Sequence, residues 1–476
     1  MKNKFYVTTP IYYPNDIPHI GHAYTTIIAD VLARWNKFKG KKVFLLTGTD
    51  EHGKKIQAIA EKFNKKPKEF TDSLIPKFKD AWKKLNIDYD RFIRTTDKDH
   101  EKVVKEILQK IYNKGDIYKG TYKGLYCTGC EAYYTDKDLK KGYCPIHKTK
   151  LEKLEEDTYF FKLSKYKNKL IEFYKKNPKF ILPKNKKKEI LNRLNKGLLD
   201  LSISRTSFDW GIPLPFDKKH ICYVWFDALL NYYTAVKKNK EFWPPDLQIV
   251  AKDIMWFHAV IWPAILMSAE IKLPESIFIH GYWTINKEKI SKSRGKTINI
   301  NELISIAGVD SARYFLLREI PFGKDGDFSE QALINRHNNE LADKLGNLVS
   351  RVEGLIAPLG VPFYTEFYGK KNSIEKCENK LIKKLNLKKI EKLFENYELD
   401  KVLNEIFAFV DICNEYVQNK KPWETKNKKV LYELKESILK IAELLWPFIP
   451  ETSEKITKQF SAKKIIKSEV LFKKII

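Results

Sequence analysis

Phe5-Tyr6-Val7-Thr8-Thr9-Pro10, then Pro18-His19-Ile20-Gly21-His22, then Val43-Phe44-Leu45-Leu46-Thr47-Gly48-Thr49-Asp50-Glu51-His52-Gly53: the fold is decided by these three pieces. The first is a short β-prone run closed by Pro10, which has no N–H to give a strand ladder. After the second, Tyr24, Ile27, Ile28, Val31, Leu32 and Trp35 recur at helical spacing, and Gly40 is placed to end that helix. Val43 to Leu46 is a continuous apolar run of the length expected for a buried parallel strand. Strand, helix, strand in this order predicts a doubly wound α/β domain, with ligands at the carboxyl ends of its strands.

Further along, the pattern breaks from about Gly115 to Trp210 into Gly-, Cys- and Lys-rich pieces that read as an insertion. Apolar α/β character returns at Tyr223-Val224-Trp225-Phe226 and Leu247-Gln248-Ile249-Val250. Beyond Phe328 the chain reads as helical: Ile406, Phe407, Val410, Cys413 and Val417 trace one apolar face, and Ile438, Ile441, Ala442 and Leu445 another. The expected organisation is therefore 1–114 for the first half of the α/β domain, 115–210 for the insertion, 211–328 for the second half, and 329–476 for a helical bundle. The Lys-rich stretches at Lys184 to Lys188 and Lys370 to Lys392 read as solvated faces.

The chain has 476 residues, 43% of them hydrophobic, enough for several domains with real cores. Its longest apolar run, Ala259 to Met267, is about half of what spans a bilayer, and the start lacks the apolar stretch of a secretion signal. A soluble, cytoplasmic protein with no membrane partner is expected. The formal net charge of +28 favours polyanionic partners such as nucleic acid. Only 10 of the 88 basic residues are Arg. That excess of Lys also fits a genome rich in A and T, so charge alone carries modest weight. Conversely, each Arg at a motif position points to a need for a planar, bidentate donor.

Two constellations have the residue types that phosphate chemistry calls for. His19 and His22 stand three residues apart at a helix start, so they share a face of the first turn. Unpaired N–H groups and the positive dipole end are expected there, with two imidazoles to donate to phosphate oxygens. Gly21, without a Cβ, admits a flat base. Lys289-Ile290-Ser291-Lys292-Ser293-Arg294-Gly295 describes a basic loop able to close on a pyrophosphate leaving group. Alone, the first motif reads as surface His near a helix start and the second as one more Lys cluster; together they are far more specific.

Cys127-Thr128-Gly129-Cys130 and Cys144-Pro145-Ile146-His147 have the spacing of a tetrahedral Cys₃His zinc site. Four protein ligands leave no open position, so the zinc, one per chain, is expected to be structural. Cys222, Cys377 and Cys413 are scattered and read as small buried hydrophobes.

His19-Ile20-Gly21-His22 and Lys289-Ile290-Ser291-Lys292-Ser293 resemble the two signatures of class I aminoacyl-tRNA synthetases. Thr8-Thr9-Pro10-Ile11-Tyr12-Tyr13-Pro14-Asn15, the Thr47 to Gly53 run, Trp225-Phe226-Asp227-Ala228-Leu229-Leu230-Asn231-Tyr232 and Lys420-Lys421-Pro422-Trp423-Glu424 narrow the resemblance to the bacterial methionyl enzymes, from about residue 4 to 475. The resemblance implies a Rossmann-like catalytic domain with a zinc-bearing insertion and an all-α anticodon-binding bundle. It implies activation of L-methionine with Mg²⁺-ATP and transfer to initiator and elongator tRNA(Met). His19, His22, Lys289 and Lys292 would be catalytic, and Gly21, Asp253 and Ser291 would join them in binding ATP. Methionine would lie among Ile11, Tyr13, Asp50, Arg205, Trp225, Ala228, Leu229, Tyr232, Ile254, Phe257, His258 and Ile261. Asp50 would pair the substrate ammonium, and Arg205 would support the site through an ion pair. Asn347, Arg351 and Trp423 would read the anticodon. This sequence departs from the family pattern at Ile290, at Ala251 and at Lys296.

The leucine, isoleucine and valine enzymes carry a large editing domain that the 115–210 stretch is too short to hold. A small nucleotidylyltransferase would lack both zinc insertion and helical end. A retired, RNA-binding relic would have no physical reason to keep His19, His22, Lys289 and Lys292 together. The chain stops at Ile476, without the OB-fold dimerisation domain of many relatives, and a monomer is expected.

Overall fold

The computed structural model describes residues 3–127, 132–134, 139, 142–145, 148–285, 288–289, 298–360 and 379–476. The opening pattern becomes β1 (Lys4–Thr8), α1 (Ile20–Phe38) and β2 (Lys42–Thr49). All six residues of the helical stripe on α1 are buried. Gly40 takes φ +78° and its N–H closes onto the Lys37 carbonyl, a left-handed stop that a Cβ would penalise. There follow α2 (Lys54–Lys62), α3 (Pro67–Lys84), β3 (Arg91–Arg94) and α4 (Lys98–Asn113). The 115–210 stretch holds β4 (Ile117–Cys127), β5 (Ala132–Tyr134), β6 (Glu152–Phe161), α5 (Lys167–Lys176), β7 (Ile181–Leu182), α6 (Lys184–Asn195), β8 (Leu201–Ser202) and β9 (Ser204–Arg205). Next come β10 (Pro213–Leu214), β11 (Asp217–Cys222), α7 (Val224–Leu229), α8 (Asn231–Val236), β12 (Leu247–Ala251), a π-helical turn over Phe257–Ile261, α9 (Trp262–Ser268) and β13 (Ile277–His280).

Six strands form one sheet in the order β3-β2-β1-β12-β13-β7, with every neighbouring pair parallel. The order reverses between β1 and β12, and the crevice at such a switch point is where doubly wound sheets take ligands. The edge strand β7 comes from the 115–210 stretch, which thereby contributes to the main sheet as well as forming a separate antiparallel sheet, β5-β4-β6-β8. Burying both faces of a parallel sheet demands apolar runs, and Leu45, Leu46, Leu247, Ile249, Val250, Ile277 and Ile279 are all fully buried. The apolar run from Ala259 is a core segment too, enclosed in the same cluster as Trp262 and Leu266.

Cα packing divides the chain into two compact units: Met1–Pro18 with Asn36–Trp82 and Asp88–His280, and His19–Trp35 with Lys83–Ile87 and Gly281–Ile476. The second contains β14 (Trp283–Ile285), β15 (Glu288–Lys289), α10 (Ile300–Ala307), α11 (Val309–Arg318), β16 (Gly326–Asp327), α12 (Glu330–Arg336), a π-helical stretch over His337–Gly346 and α13 (Asn347–Ile356). It ends in α14 (Leu387–Glu395), α15 (Leu399–Lys420), α16 (Pro422–Thr425), α17 (Lys428–Leu445) and α18 (Pro450–Phe460). The two apolar faces expected in the helical end are those buried on α15 and α17. Trp35 stacks on Phe394 at 3.9 Å, which ties α1 to α14. Arg313 is wholly buried. It donates to Asp30 Oδ2 at 2.6 Å and to the carbonyls of Leu85, Pro447 and Phe448, while Arg34 reaches the same Asp30 oxygen at 2.8 Å. A buried carboxylate shared by two guanidinium groups thus locks α1 to α11 and to the turn before α18.

Candidate active site

His19 caps α1: its carbonyl accepts from Ala23 N–H at 3.1 Å, the first bond of the helix. The two imidazoles complete the cap between them. His19 Nδ1 accepts from Gly21 N–H at 3.1 Å, and His22 Nδ1 accepts from His19 N–H at 3.3 Å, a reciprocal arrangement like a capping box. The rings stack at 3.9 Å, so the shared face expected from their spacing is present. The expectation of unpaired N–H groups is corrected: Ile20 N–H is held by the Ile298 carbonyl and Gly21 N–H by His19 itself. With both Nδ1 atoms accepting, a neutral ring carries its proton on Nε2 and is a donor there. A Cβ on Gly21 would stand 3.0 Å from the His19 ring and disturb that cap.

In the first unit, the carboxyl ends of β1, β2 and β12 lead into Ile11 and Tyr13, into Asp50, and into Asp253 and Ile254. Tyr12 pins the first two together, taking Gly48 through its N–H at 3.0 Å and receiving Asp50 N–H at 2.9 Å. Asp50 is buried and Asp253 exposed. Trp225 on α7 stacks face to face with Phe257 at 3.9 Å and 7°, and His258 stands edge-on to Trp225. Ile11, Tyr13, Trp225, Ile254 and Phe257 are half-buried and pack on the core, whereas Ala228, Leu229, Tyr232, His258 and Ile261 lie within it. Of the residues expected to hold methionine, those five are therefore partly accessible and the other five enclosed.

His258 is 1% exposed, and its ring is fully engaged. Nδ1 lies 3.0 Å from the Ile254 carbonyl and must donate to it, so Nε2 accepts from the Tyr232 hydroxyl at 2.7 Å. Tyr232 is fixed in turn by Tyr6, whose hydroxyl donates to its carbonyl at 2.8 Å. Burial pushes the His258 pKa down to about 4, so the ring is neutral at pH 7. Phe257 and His258 both lie on the π-helical turn Phe257–Ile261, a kind of bulge frequent at functional sites. Arg205 lies over the Tyr223 ring, and its Nη1 donates to Ser202 Oγ at 2.8 Å and to the Ser204 carbonyl at 2.6 Å. These contacts anchor it to β8 and β9.

Lys289 ends β15, paired with Thr284 of β14. Ser291 and Lys292, like the departures Ile290 and Lys296, lie outside the described residues. Cys127 closes β4 and is buried, as is Cys144, whose N–H bonds the Thr149 carbonyl at 3.0 Å and whose carbonyl receives Lys148 N–H at 2.9 Å. Cys130 and His147 lie outside the described residues, among which no group of three or more His, Cys, Asp or Glu side chains is placed to hold a metal ion. Cys222 and Cys413 are buried as expected, and Cys377 lies outside the described residues.

In the second unit Asn347 and Arg351, one turn apart on α13, are both exposed. The Arg351 guanidinium lies 5.9 Å from the ring of Trp423, and Gln418 receives its Nη1 at 3.3 Å. Trp423 is 38% exposed, presented on the short helix α16 between Lys421 and Lys426, both left-handed. An exposed indole backed by a guanidinium is a stacking platform for an unpaired base.

Sequence reasoning missed Gln418, Tyr6 and a buried group at the strand ends. Glu51 receives Arg94 on both oxygens, at 2.6 and 2.8 Å. Asp227 lies between His52 and His100. The Thr47–Gly53 and Trp225–Tyr232 runs had marked a family likeness without assigning Glu51, His52 or Asp227 work.

Known proteins align along the same lines. The family described as "tRNA synthetases class I (M)" matches residues 5–155 and 137–353, and the "Anticodon-binding domain of tRNA ligase" matches 380–474. With the parallel sheet and the His19–His22 cap, these matches define a class I aminoacyl-tRNA synthetase. The methionine–tRNA ligase of Caldanaerobacter subterraneus subsp. tengcongensis is 45% identical, over 96% of this chain and 74% of that protein. That of Rickettsia prowazekii is 42% identical over 100% of this chain and 96% of its own length. The Mycobacterium tuberculosis methionyl-tRNA synthetase solved with methionyl-adenylate is 37% identical with a TM-score of 0.90, over 96% of this chain and 94% of that one. The chain belongs to the methionyl-tRNA synthetase family.

Proposed function

We infer that the chain activates L-methionine with Mg²⁺-ATP, giving methionyl-adenylate and pyrophosphate, and then transfers the methionyl group to the 3′ end of tRNA(Met) for initiation and elongation. The end-to-end match with the Rickettsia methionine–tRNA ligase, with catalytic and anticodon-binding segments both present, carries this reading.

In the first step a carboxylate oxygen of methionine attacks the α-phosphate of ATP, and the bond to pyrophosphate breaks. Little covalent chemistry falls to the protein, so positioning and charge dominate. His19 and His22 donate through Nε2–H to phosphate oxygens, Gly21 leaves room for the base, and Asp253 holds the ribose. Lys289 and Lys292 offset the charge of the leaving pyrophosphate, and Ser291 donates a hydrogen bond to it. In the second step the terminal ribose hydroxyl of tRNA displaces AMP.

The rim of Ile11, Tyr13, Trp225, Ile254 and Phe257 and the base of Ala228, Leu229, Tyr232, His258 and Ile261 take the methionine side chain; aromatic faces suit a polarisable thioether. Asp50 pairs the ammonium, and Arg205 supports the site from its anchor on β8 and β9. Asn347 and Arg351 bond splayed anticodon bases, and Trp423 stacks on one.

Two buried cysteines on a strand end and a tight turn fit one half-site each of a zinc knuckle. Cys127, Cys130, Cys144 and His147 would hold the ion, which supplies cross-linking rather than chemistry. No helix among the described residues is long and apolar enough to cross a membrane, and we read the protein as cytoplasmic. Charging of tRNA(Met) by the purified protein tests the function: methionyl ester should form with methionine and ATP present, and failure to form it would reject this reading.

A further inference from the structure

Asp227 lies inside α7, between Trp225 and Ala228, and is 1% exposed. Both of its oxygens are occupied by imidazoles: Oδ2 lies 2.7 Å from His52 Nδ1, and Oδ1 lies 2.7 Å from His100 Nε2. His52 follows Asp50 by two residues beyond β2, and His100 sits in the first turn of α4 with no exposure. The second nitrogen of His100 reaches Thr234 Oγ1 on α8 at 3.1 Å, one half-turn beyond Tyr232. His52 also meets Trp210 edge-on, and the Trp210 indole donates to the Glu51 carbonyl at 2.5 Å. None of these groups has a part in the two steps above.

A carboxylate only accepts, so each imidazole donates to it: His52 through Nδ1–H and His100 through Nε2–H. Burial alone would push the Asp227 carboxyl up, but the two imidazoles, His52 first, outweigh it and hold it below its usual range. A buried carboxylate with both oxygens filled is stiff, because losing either partner leaves an unsatisfied charge away from water. The three residues join three pieces of chain: the loop carrying Asp50, the helix carrying Trp225 and Ala228, and, through Thr234, the helix carrying Tyr232.

We propose that His52 and His100 are positioning residues that set the affinity for the amino acid, by clamping Asp227 and so fixing Asp50 against Trp225, Ala228 and Tyr232. The proposal rests on reading those residues as the methionine pocket. The nitrogens used differ, and that makes the clamp testable. An Asn amide nitrogen stands near the place of an imidazole Nδ1, and a Gln amide nitrogen near that of Nε2. His52→Asn and His100→Gln therefore keep the donor in place, whereas His52→Gln and His100→Asn move it.

Methionine-dependent ATP–pyrophosphate exchange on the full-length variants reads the outcome, with melting temperature measured alongside. Alanine at either position should raise the KM for methionine about tenfold or more and leave the KM for ATP unmoved. His52→Asn and His100→Gln should recover most of that loss, and the swapped pair should not. Equal rises in both KM values, or equal behaviour of the matched and swapped amides, would overturn the proposal. Should the alanine variants fail to fold, the comparison of the four amide variants decides alone. Trp225→Ala separates this idea from the one beneath it. If Trp225→Ala leaves the KM for methionine unchanged, the pocket reading falls; if it raises it and the His52 and His100 variants do not, only the clamp falls.

Discussion

Tyr232→Phe deletes one oxygen atom, and the consequence can be worked from the surroundings of His258. Its Nδ1–H is committed to the Ile254 carbonyl, so the Tyr232 hydroxyl is the donor to Nε2 at 2.7 Å. The ring is 1% exposed, and with its pKa near 4 it does not capture a proton from solvent at pH 7. Phenylalanine there leaves a buried acceptor without that donor, a loss of about 2 kcal/mol within the usual range of 1–3. If the ring must sit as it does for methionine to bind, that energy appears as a rise of roughly thirtyfold in the KM for methionine. The Tyr6 bond to the Tyr232 carbonyl is untouched, so the backbone of α8 has no cause to move. ATP–pyrophosphate exchange at varied methionine, then at varied ATP, separates the effects: the first KM rises and the second stays. An unchanged KM for methionine, together with an unchanged melting temperature, would refute the hydrogen-bond assignment.

Titration of the same ring gives a second expectation. With its folded pKa near 4 against an ordinary 6.5, the unfolded chain takes up a proton between those values that the folded chain refuses. Stability from this group is therefore constant above pH 6.5 and lost as the pH falls towards 4, by about 2 kcal/mol at pH 5. Urea denaturation of the wild type and His258→Asn at pH 7 and pH 5 checks it, since the variant should lack that share of the loss. Trp423→Ala should cut tRNA(Met) charging efficiency by about tenfold or more, the worth of one base stacked on an aromatic ring, with methionine activation intact; loss of both would mark Trp423 as structural. Arg313→Met should destabilise the second unit by about 3–5 kcal/mol, since it takes one of two guanidinium partners from the buried Asp30 carboxylate, leaving Arg34, and a donor from three buried carbonyls. A melting temperature within error of wild type would contradict that account.

The strand–helix–strand opening was legible because its signals are local and agree: the period of the α1 stripe, the stop at Gly40 and the apolar run of β2 all point one way. The shared face of His19 and His22 followed from spacing as well. Their reciprocal cap did not, because it depends on which ring nitrogen turns inward. Every Arg among the described residues meets a carboxylate, a carbonyl or an aromatic ring, from Arg94 on both oxygens of Glu51 to Arg193 over Trp256. Other parts were out of reach. The contribution of β7 to the main sheet is a two-residue pairing with β13, nearly a hundred positions away, too short to carry a pattern. The clamp on Asp227 joins residues 175 and 127 positions apart, and no periodicity links them. The methionine pocket was named through family likeness, since each of its aromatics alone reads as ordinary core.

Amino-acid-dependent ATP–pyrophosphate exchange, run on the purified protein with each of the twenty amino acids in turn, tests the central claim most directly. Exchange with methionine, and with no other amino acid at comparable concentration, is the predicted result. Absence of exchange with methionine in folded, zinc-loaded protein would contradict the account and leave an RNA-binding relic of a synthetase in its place.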